Sequence, residues 1–206
     1  MLQFLARASA AHPHWQDGCT AASVLIYNRV LVCANLGDTK AILVRDKDDP
    51  IDTNDNRTID AATAQTLLLT QDHAPTVYEE RQRIQKAGGS VTDGRVQGIL
   101  EVSRSLGDGR FKAVGVSNVP HLVKLQLTAK DRFLLLACDG LWASLSVAKA
   151  IELVCAGLNT ARSNPDLSTA KQQAQHVAAT LVNEAVHHGS SDNVSVVLVL
   201  LSEAKS

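Results

Sequence analysis

Apolar positions in this chain gather in short runs separated by glycine, aspartate and asparagine. Ala21–Tyr27, Val30–Asn35 and Lys40–Arg45 are rich in β-branched residues, with Asn28-Arg29 and Gly37-Asp38 between them. The pattern predicts three strands joined by tight turns, an antiparallel meander. Leu67–Leu69 predicts a further short strand. Leu122–Leu127 alternates apolar with polar, the signature of a half-exposed strand. Phe133–Cys138 is continuously apolar and predicts a strand buried on both faces, and Val194–Leu201, apolar apart from Ser195, predicts a final buried strand.

Helical periodicity appears elsewhere. Phe4–Ala8 reads as a helix tail that His12-Pro13-His14 stops. Thr76 and Glu79 have capping-box spacing, and Gly88-Gly89 follow the helix they would open. Ser146 is placed to cap a helix running to about Ala156. A longer helix over Thr169–His187 carries Ala174, Val177, Ala178, Leu181 and Ala185 on one face, and Gly189 closes it. Residues 46–60 predict an exposed acidic loop, Ser90–Arg104 short strand segments, and 105–120 an irregular glycine-rich loop. Strands first and helices later indicate an α+β fold.

The chain has 206 residues, of which 45% are hydrophobic, enough for one domain with a real core. The net charge of −1 gives no basic surplus for nucleic acid or an anionic membrane. With 3% aromatics, stacking platforms for single strands are not expected. Cys19, Cys33, Cys138 and Cys155 form no Cys-x-x-Cys pair, which argues against zinc. Those in apolar runs read as buried free thiols of a reducing compartment. No apolar stretch is long enough to span a bilayer, and the first residues do not read as a signal peptide. The expected location is cytosolic or nuclear.

Three aspartates border these apolar runs: Asp38, Asp139 and Asp192. Carboxylates presented from separate strand ends are hard oxygen donors suited to Mg²⁺ or Mn²⁺. Each also has a plainer reading. Asp38 fits a hairpin turn, Asp192-Asn193 an Asx-turn, and Asp139-Gly140 a turn or cap, as at Asp17-Gly18, Asp93-Gly94 and Asp108-Gly109.

Seven motifs surround these residues. In order, they are Gly18-Cys19-Thr20-Ala21, Ala34-Asn35-Leu36-Gly37-Asp38-Thr39-Lys40-Ala41 and Gln71-Asp72-His73-Ala74-Pro75. Then come Glu79-Glu80-Arg81-x-x-Ile84-x-x-Ala87-Gly88-Gly89, Val102-Ser103-Arg104-Ser105-Leu106-Gly107-Asp108, Ala137-Cys138-Asp139-Gly140-Leu141-Trp142 and Gly189-Ser190-Ser191-Asp192-Asn193-Val194. Together they resemble the metal-dependent (PPM-type) protein serine/threonine phosphatases. Tyr78–Trp142 is especially similar to the integrin-linked kinase-associated branch. The resemblance covers residues 18 to about 201. It implies two antiparallel sheets packed face to face with helices outside, and phosphoprotein substrates. It also implies two Mg²⁺ or Mn²⁺ ions that ready a bridging water to attack phosphorus. On that resemblance Asp139 and Asp192 are metal carboxylates, and Asp38 belongs to a weaker third-metal position.

The chain departs from the family pattern in specific places. The Asp-Gly-His-Gly-Gly motif of the family's N-terminal third, with its bridging Asp and proton-donating His, does not occur in these residues. The upstream acidic residue and phosphate-binding Arg of that third are likewise unmatched. Ala143 stands where an Asp commonly follows Leu-Trp. The expectation is therefore a partial domain over residues 1–206, incomplete at its N-terminus, in which no catalytic residue is identifiable. Two functions follow: a phosphatase whose metal site is incomplete within this chain, or a non-catalytic module that docks a phosphoprotein or regulatory partner on the Gly107–Pro120 region.

Other polar residues read as structural. His73 fits a turn, Arg104 an ion pair or cap, His187-His188 a helix C-terminus, and Trp142 a core or rim aromatic. His12 and His14 read as a solvated loop, and Glu79–Lys86 as the solvated face of a helix.

Overall fold

The computed structural model describes residues 2–12, 14–47 and 58–201. Along the chain these form α1 (Leu2–Ala10), β1 (Gly18–Cys19), β2 (Ala21–Tyr27), β3 (Val30–Leu36), β4 (Lys40–Asp46), β5 (Ala64–Leu68) and α2 (Tyr78–Lys86). There follow β6 (Val91–Thr92), β7 (Arg95–Val96), β8 (Leu106–Gly107), α3 (Gly109–Lys112), β9 (His121–Gln126) and β10 (Asp131–Ala137). Last come α4 (Asp139–Trp142), α5 (Val147–Arg162), α6 (Ala170–His187) and β11 (Val196–Leu200). Most of the expected acidic loop at 46–60 lies outside the described residues.

The chain divides into two compact units, one from Met1–Leu25, Val32–Thr39 and Thr70–Val123, the other from Ile26–Leu31, Lys40–Leu69 and Lys124–Ser206. The first has a small core of Ile84, Val96, Phe111 and Val116. Its β6–β7 hairpin turns through Asp93 and Gly94, both at positive φ (51° and 78°), as a two-residue hairpin loop requires. β1 pairs antiparallel with β8. Strands β2, β3 and β9 form a three-stranded sheet in that order.

The second unit is built on a sheet ordered β11-β10-β4-β5, antiparallel throughout. Ile42, Val44, Phe133 and Leu135 join Val154, Leu158, Val177 and Leu181 of α5 and α6 in one core. Burial of so many large apolar side chains is the main stabilising term. Ser146 accepts the Lys149 N–H (3.2 Å) and starts α5. Thr169 and Gln172 form a reciprocal capping box that starts α6.

The structure corrects several expectations. β4 does not continue a meander from β3; it pairs with β10 and β5. Four consecutive buried residues, Ala41–Val44, suit it to an interior position in a sheet rather than to a hairpin with β3. Gly37-Asp38 is therefore a connection between strands of different sheets. β11 is an edge strand with Val197 56% exposed, not the buried strand expected at 194–201. No side chain caps α2: its N-cap is Val77, so the Thr76–Glu79 spacing falls out of phase with the box. The loop at 105–120 contains β8 and α3. Cys138 lies just past β10 as the half-buried N-cap of α4, and Cys19 is exposed, whereas Cys33 and Cys155 are buried thiols. No described helix is long and apolar enough to cross a membrane.

Candidate metal-facing site

β10 and β11 are antiparallel neighbours, with Ala137 opposite Val196. The chain beyond the C-terminal end of β10 and the chain before the N-terminal end of β11 therefore leave the sheet at the same end. Asp139 opens α4, and Asp192 lies in the connection from α6 to β11. Several bonds pin the two segments. The Cys138 N–H donates to the Ser195 carbonyl (3.2 Å), the Cys138 thiol to the Asn193 carbonyl (3.2 Å), and the Ser195 N–H to Cys138 Sγ (3.2 Å). Ser190 Oγ donates to the Gly140 carbonyl (2.8 Å). Gly140 admits the closest approach: a Cβ there would collide with the Asn193 carbonyl oxygen. Trp142 Nε1 donates to the Ala137 carbonyl (2.7 Å) and fixes α4 on the strand it follows.

Both carboxylates are exposed at this rim. Each accepts the N–H of the next residue, Gly140 for Asp139 (3.0 Å) and Asn193 for Asp192 (2.7 Å). These local bonds are the turn roles that the sequence left open beside the ligand roles. Neither side chain forms an ion pair with a described residue.

Asp38 belongs to the first unit and is half-buried. Its turn is clamped from residues 71–73. The Gly37 N–H donates to His73 Nδ1 (3.0 Å), and the His73 N–H donates to the Gly37 carbonyl (3.1 Å). Asn35 Nδ2 donates to the Gln71 carbonyl (2.9 Å). Gly37 has φ +87°, and a Cβ there would strike the Thr20 side chain. His73 is fully buried, and its Nε2 has no hydrogen-bond partner among the described residues. Burial first, and the nearby Arg104 charge second, hold its imidazole below the ordinary pKa.

Sequence reasoning missed the strongest electrostatic feature of the first unit. Glu80, expected on a solvated helix face, is 2% exposed. Its carboxylate takes both terminal nitrogens of Arg83 (2.7 Å each), Arg104 Nη2 (2.6 Å) and Ser103 Oγ (2.5 Å). Burial pushes the Glu80 pKa up, but the bonds from Arg83, Arg104 and Ser103 override it and hold the carboxyl well below the usual range. The available signal was spacing: Glu80 stands one helical turn before the buried Ile84, on the same face.

Hard carboxylate oxygens are the right donors for Mg²⁺ or Mn²⁺, but their number is short. No cluster of three or more His, Cys, Asp or Glu side chains is gathered for a metal among the described residues. Asp139 and Asp192 are a pair, and one oxygen of each already accepts a backbone N–H. Mg²⁺ takes six oxygen ligands in near-octahedral geometry. The described residues do not make up a complete two-ion centre.

Both the sequence and the fold match one class of protein. The Protein phosphatase 2C family model matches residues 2–194. The human integrin-linked kinase-associated serine/threonine phosphatase 2C is 45% identical over 199 residues, covering 96% of this chain and 48% of that protein. A probable protein phosphatase 2C 67 of rice is 39% identical over 191 residues, covering 91% of this chain and 48% of that protein. A serine-threonine phosphatase 2C structure from Toxoplasma gondii superposes with a TM-score of 0.73 at 22% identity, covering 97% of this chain and 63% of that one, and supports the fold. The chain belongs to the protein phosphatase 2C family, whose members are metal-dependent serine/threonine phosphatases. It spans about half the length of the curated relatives it matches.

Proposed function

We propose that this chain supplies part of the machinery of a phosphatase that hydrolyses phosphoserine and phosphothreonine esters of phosphoproteins. In this reading its residues form one partial phosphatase domain. Asp139 and Asp192 are two of the carboxylates that hold Mg²⁺ or Mn²⁺, and Asp38 serves a weaker third position. The observation that carries the reading is the pinning of the β10–α4 junction to the α6–β11 junction, which sets Asp139 and Asp192 at one end of one sheet. Four free cysteines support a cytosolic or nuclear location.

Release of phosphate from a phosphothreonine peptide in Mn²⁺ tests this reading. The 206 residues alone give little or no release. Fusion to an N-terminal segment carrying the family's Asp-Gly-His-Gly-Gly motif restores it, and Asp139→Asn in that fusion abolishes it. Release from the isolated chain at the rate of a complete family member contradicts the incomplete centre.

A second reading, a non-catalytic binding module, is favoured by the absence of a three-donor metal cluster among the described residues. A folded fusion that binds the phosphopeptide without hydrolysing it selects this reading.

A further inference from the structure

Within the first unit a cavity of about 390 Å³ opens beside α1, α2 and α3. That volume lies within the range of small-ligand pockets, roughly 300–1,000 Å³. Arg83, Lys112, Ser117 and Asn118 line it, together with Leu5 and Val116.

The two cations are positioned by the protein itself. Arg83 donates from Nε to the Gly115 carbonyl (2.9 Å), from Nη1 and Nη2 to Glu80 (2.7 Å each), and from Nη2 to the Ser103 carbonyl (2.8 Å). A guanidinium has five N–H groups. One on Nη1 is left without an acceptor among the described residues. Lys112 Nζ donates to the Ser105 carbonyl (2.8 Å) and Oγ (3.2 Å), and its third N–H has no acceptor among the described residues.

The remaining polar lining also offers donors. Ser117 Oγ accepts the Val119 N–H (3.1 Å), which leaves its own O–H to give. Asn118 is exposed, and neither its backbone N–H nor its carboxamide has a partner among the described residues. Of the residues that line the cavity, Arg83 and Lys112 are cationic and none is acidic, although Glu80 accepts from Arg83 and Asp108 acts on Lys112. Surplus donors and a lining whose charged members are both cations together select an oxyanion. Leu5 and Val116 supply an apolar wall beside it.

We propose that this cavity binds a phosphoryl group, with Arg83, Lys112, Ser117 and Asn118 on its oxygens and Leu5 and Val116 against its apolar neighbour. The proposed phosphatase reading bears only on the source of that group: released inorganic phosphate, or a second phosphoryl group on a multiply phosphorylated substrate. Phosphate is compact and tetrahedral, so it can take donors from several directions at once.

Amide chemical shifts of the ¹⁵N-labelled 206-residue chain test the site. Sodium phosphate is titrated against sodium chloride at matched ionic strength. The expected result is saturable shifts centred on Gly115–Asn118 with phosphate and none with chloride. Lys112→Met weakens binding about tenfold, from the loss of one charge-assisted hydrogen bond. Asn118→Ala weakens it about threefold without disturbing the fold, because Asn118 is exposed and unbonded. A doubly phosphorylated peptide that binds more tightly than phosphate and also moves the Leu5 and Val116 methyl signals identifies the substrate source. Tighter binding of free phosphate identifies the product. Shifts that do not saturate, that chloride reproduces, or that Asn118→Ala leaves unchanged in a folded chain overturn the proposal. The shifts need no turnover, so a folded fusion that releases no phosphate, while the chain still shows them, sinks only the phosphatase reading.

Discussion

The backbone of Gly140 lies directly against the carbonyl group of Asn193, with no room for a side chain between them. Asp139 and Asp192 are the residues immediately before these two. The closest approach of the two segments is thus also what brings the two carboxylates to one rim. Only glycine allows it.

Gly140→Ala is therefore expected to force the junctions apart. The added methyl meets backbone, which cannot swing away as a flexible side chain would. The expected cost is about 1–3 kcal/mol, typical of overpacking. Urea unfolding measures it. Gly98→Ala makes a useful contrast, since no described residue lies near the Cβ position there, although its φ of +69° still carries a strain penalty.

Glu80 is expected to govern acid stability at low pH. Its pKa is depressed in the folded state, so its contribution is complete above the unfolded value of about 4.3. That contribution is lost as pH falls below this value towards the folded one. Glu80→Ala leaves Arg83 and Arg104 without their carboxylate and costs about 3–5 kcal/mol. Denaturant unfolding from pH 7 to pH 3 checks both statements. The variant should start lower and lose less on acidification.

His73 is expected to act in a separate pH window. Its folded pKa is also depressed, by burial first and by Arg104 second. Protons therefore bind the unfolded chain first, and stability declines as pH falls below about 6.5. The slope between pH 6.5 and pH 5 should flatten in His73→Gln, which keeps a polar side chain near Gly37. Thermal unfolding across this range is the measurement.

The buried thiols give a chemical check on the fold. Burial first, then the nearby Asp60 charge, pushes the Cys155 thiol up to about 11, and burial also raises Cys33. Iodoacetamide at pH 8 should label exposed Cys19 first and leave Cys33 and Cys155 unmodified in the folded chain. Mass spectrometry of the labelled peptides reads the order.

Much of this architecture was legible in the sequence because local chemistry dictated it. Alternation in Leu122–Leu127 marked β9, and the unbroken apolar run at Phe133–Cys138 marked β10. Ser146 marked the start of α5. What local pattern could not settle was partner choice between strands. β3 and β4 are separated by a short turn-like segment, yet they join different sheets, because burial of β4 on both faces outweighs proximity in sequence. The same limit applies to side chains. Glu80 looked like one charge in a polar helix, since Ser103 and Arg104, which neutralise and bury it, lie more than twenty residues on. Residue type and motif single out Asp139 and Asp192 as candidates, but the bonds through Cys138, Ser190 and Gly140 that pin their segments could not be read from either segment alone.

Calorimetric titration of Mn²⁺ into the 206-residue chain tests the central claim most directly. The expected result is one weakly held ion, lost in Asp139→Asn and equally in Asp192→Asn, and retained in Asp93→Asn, a hairpin-turn control. Binding that survives both substitutions, or no binding at all by the folded chain, contradicts the assignment of these two carboxylates to a metal.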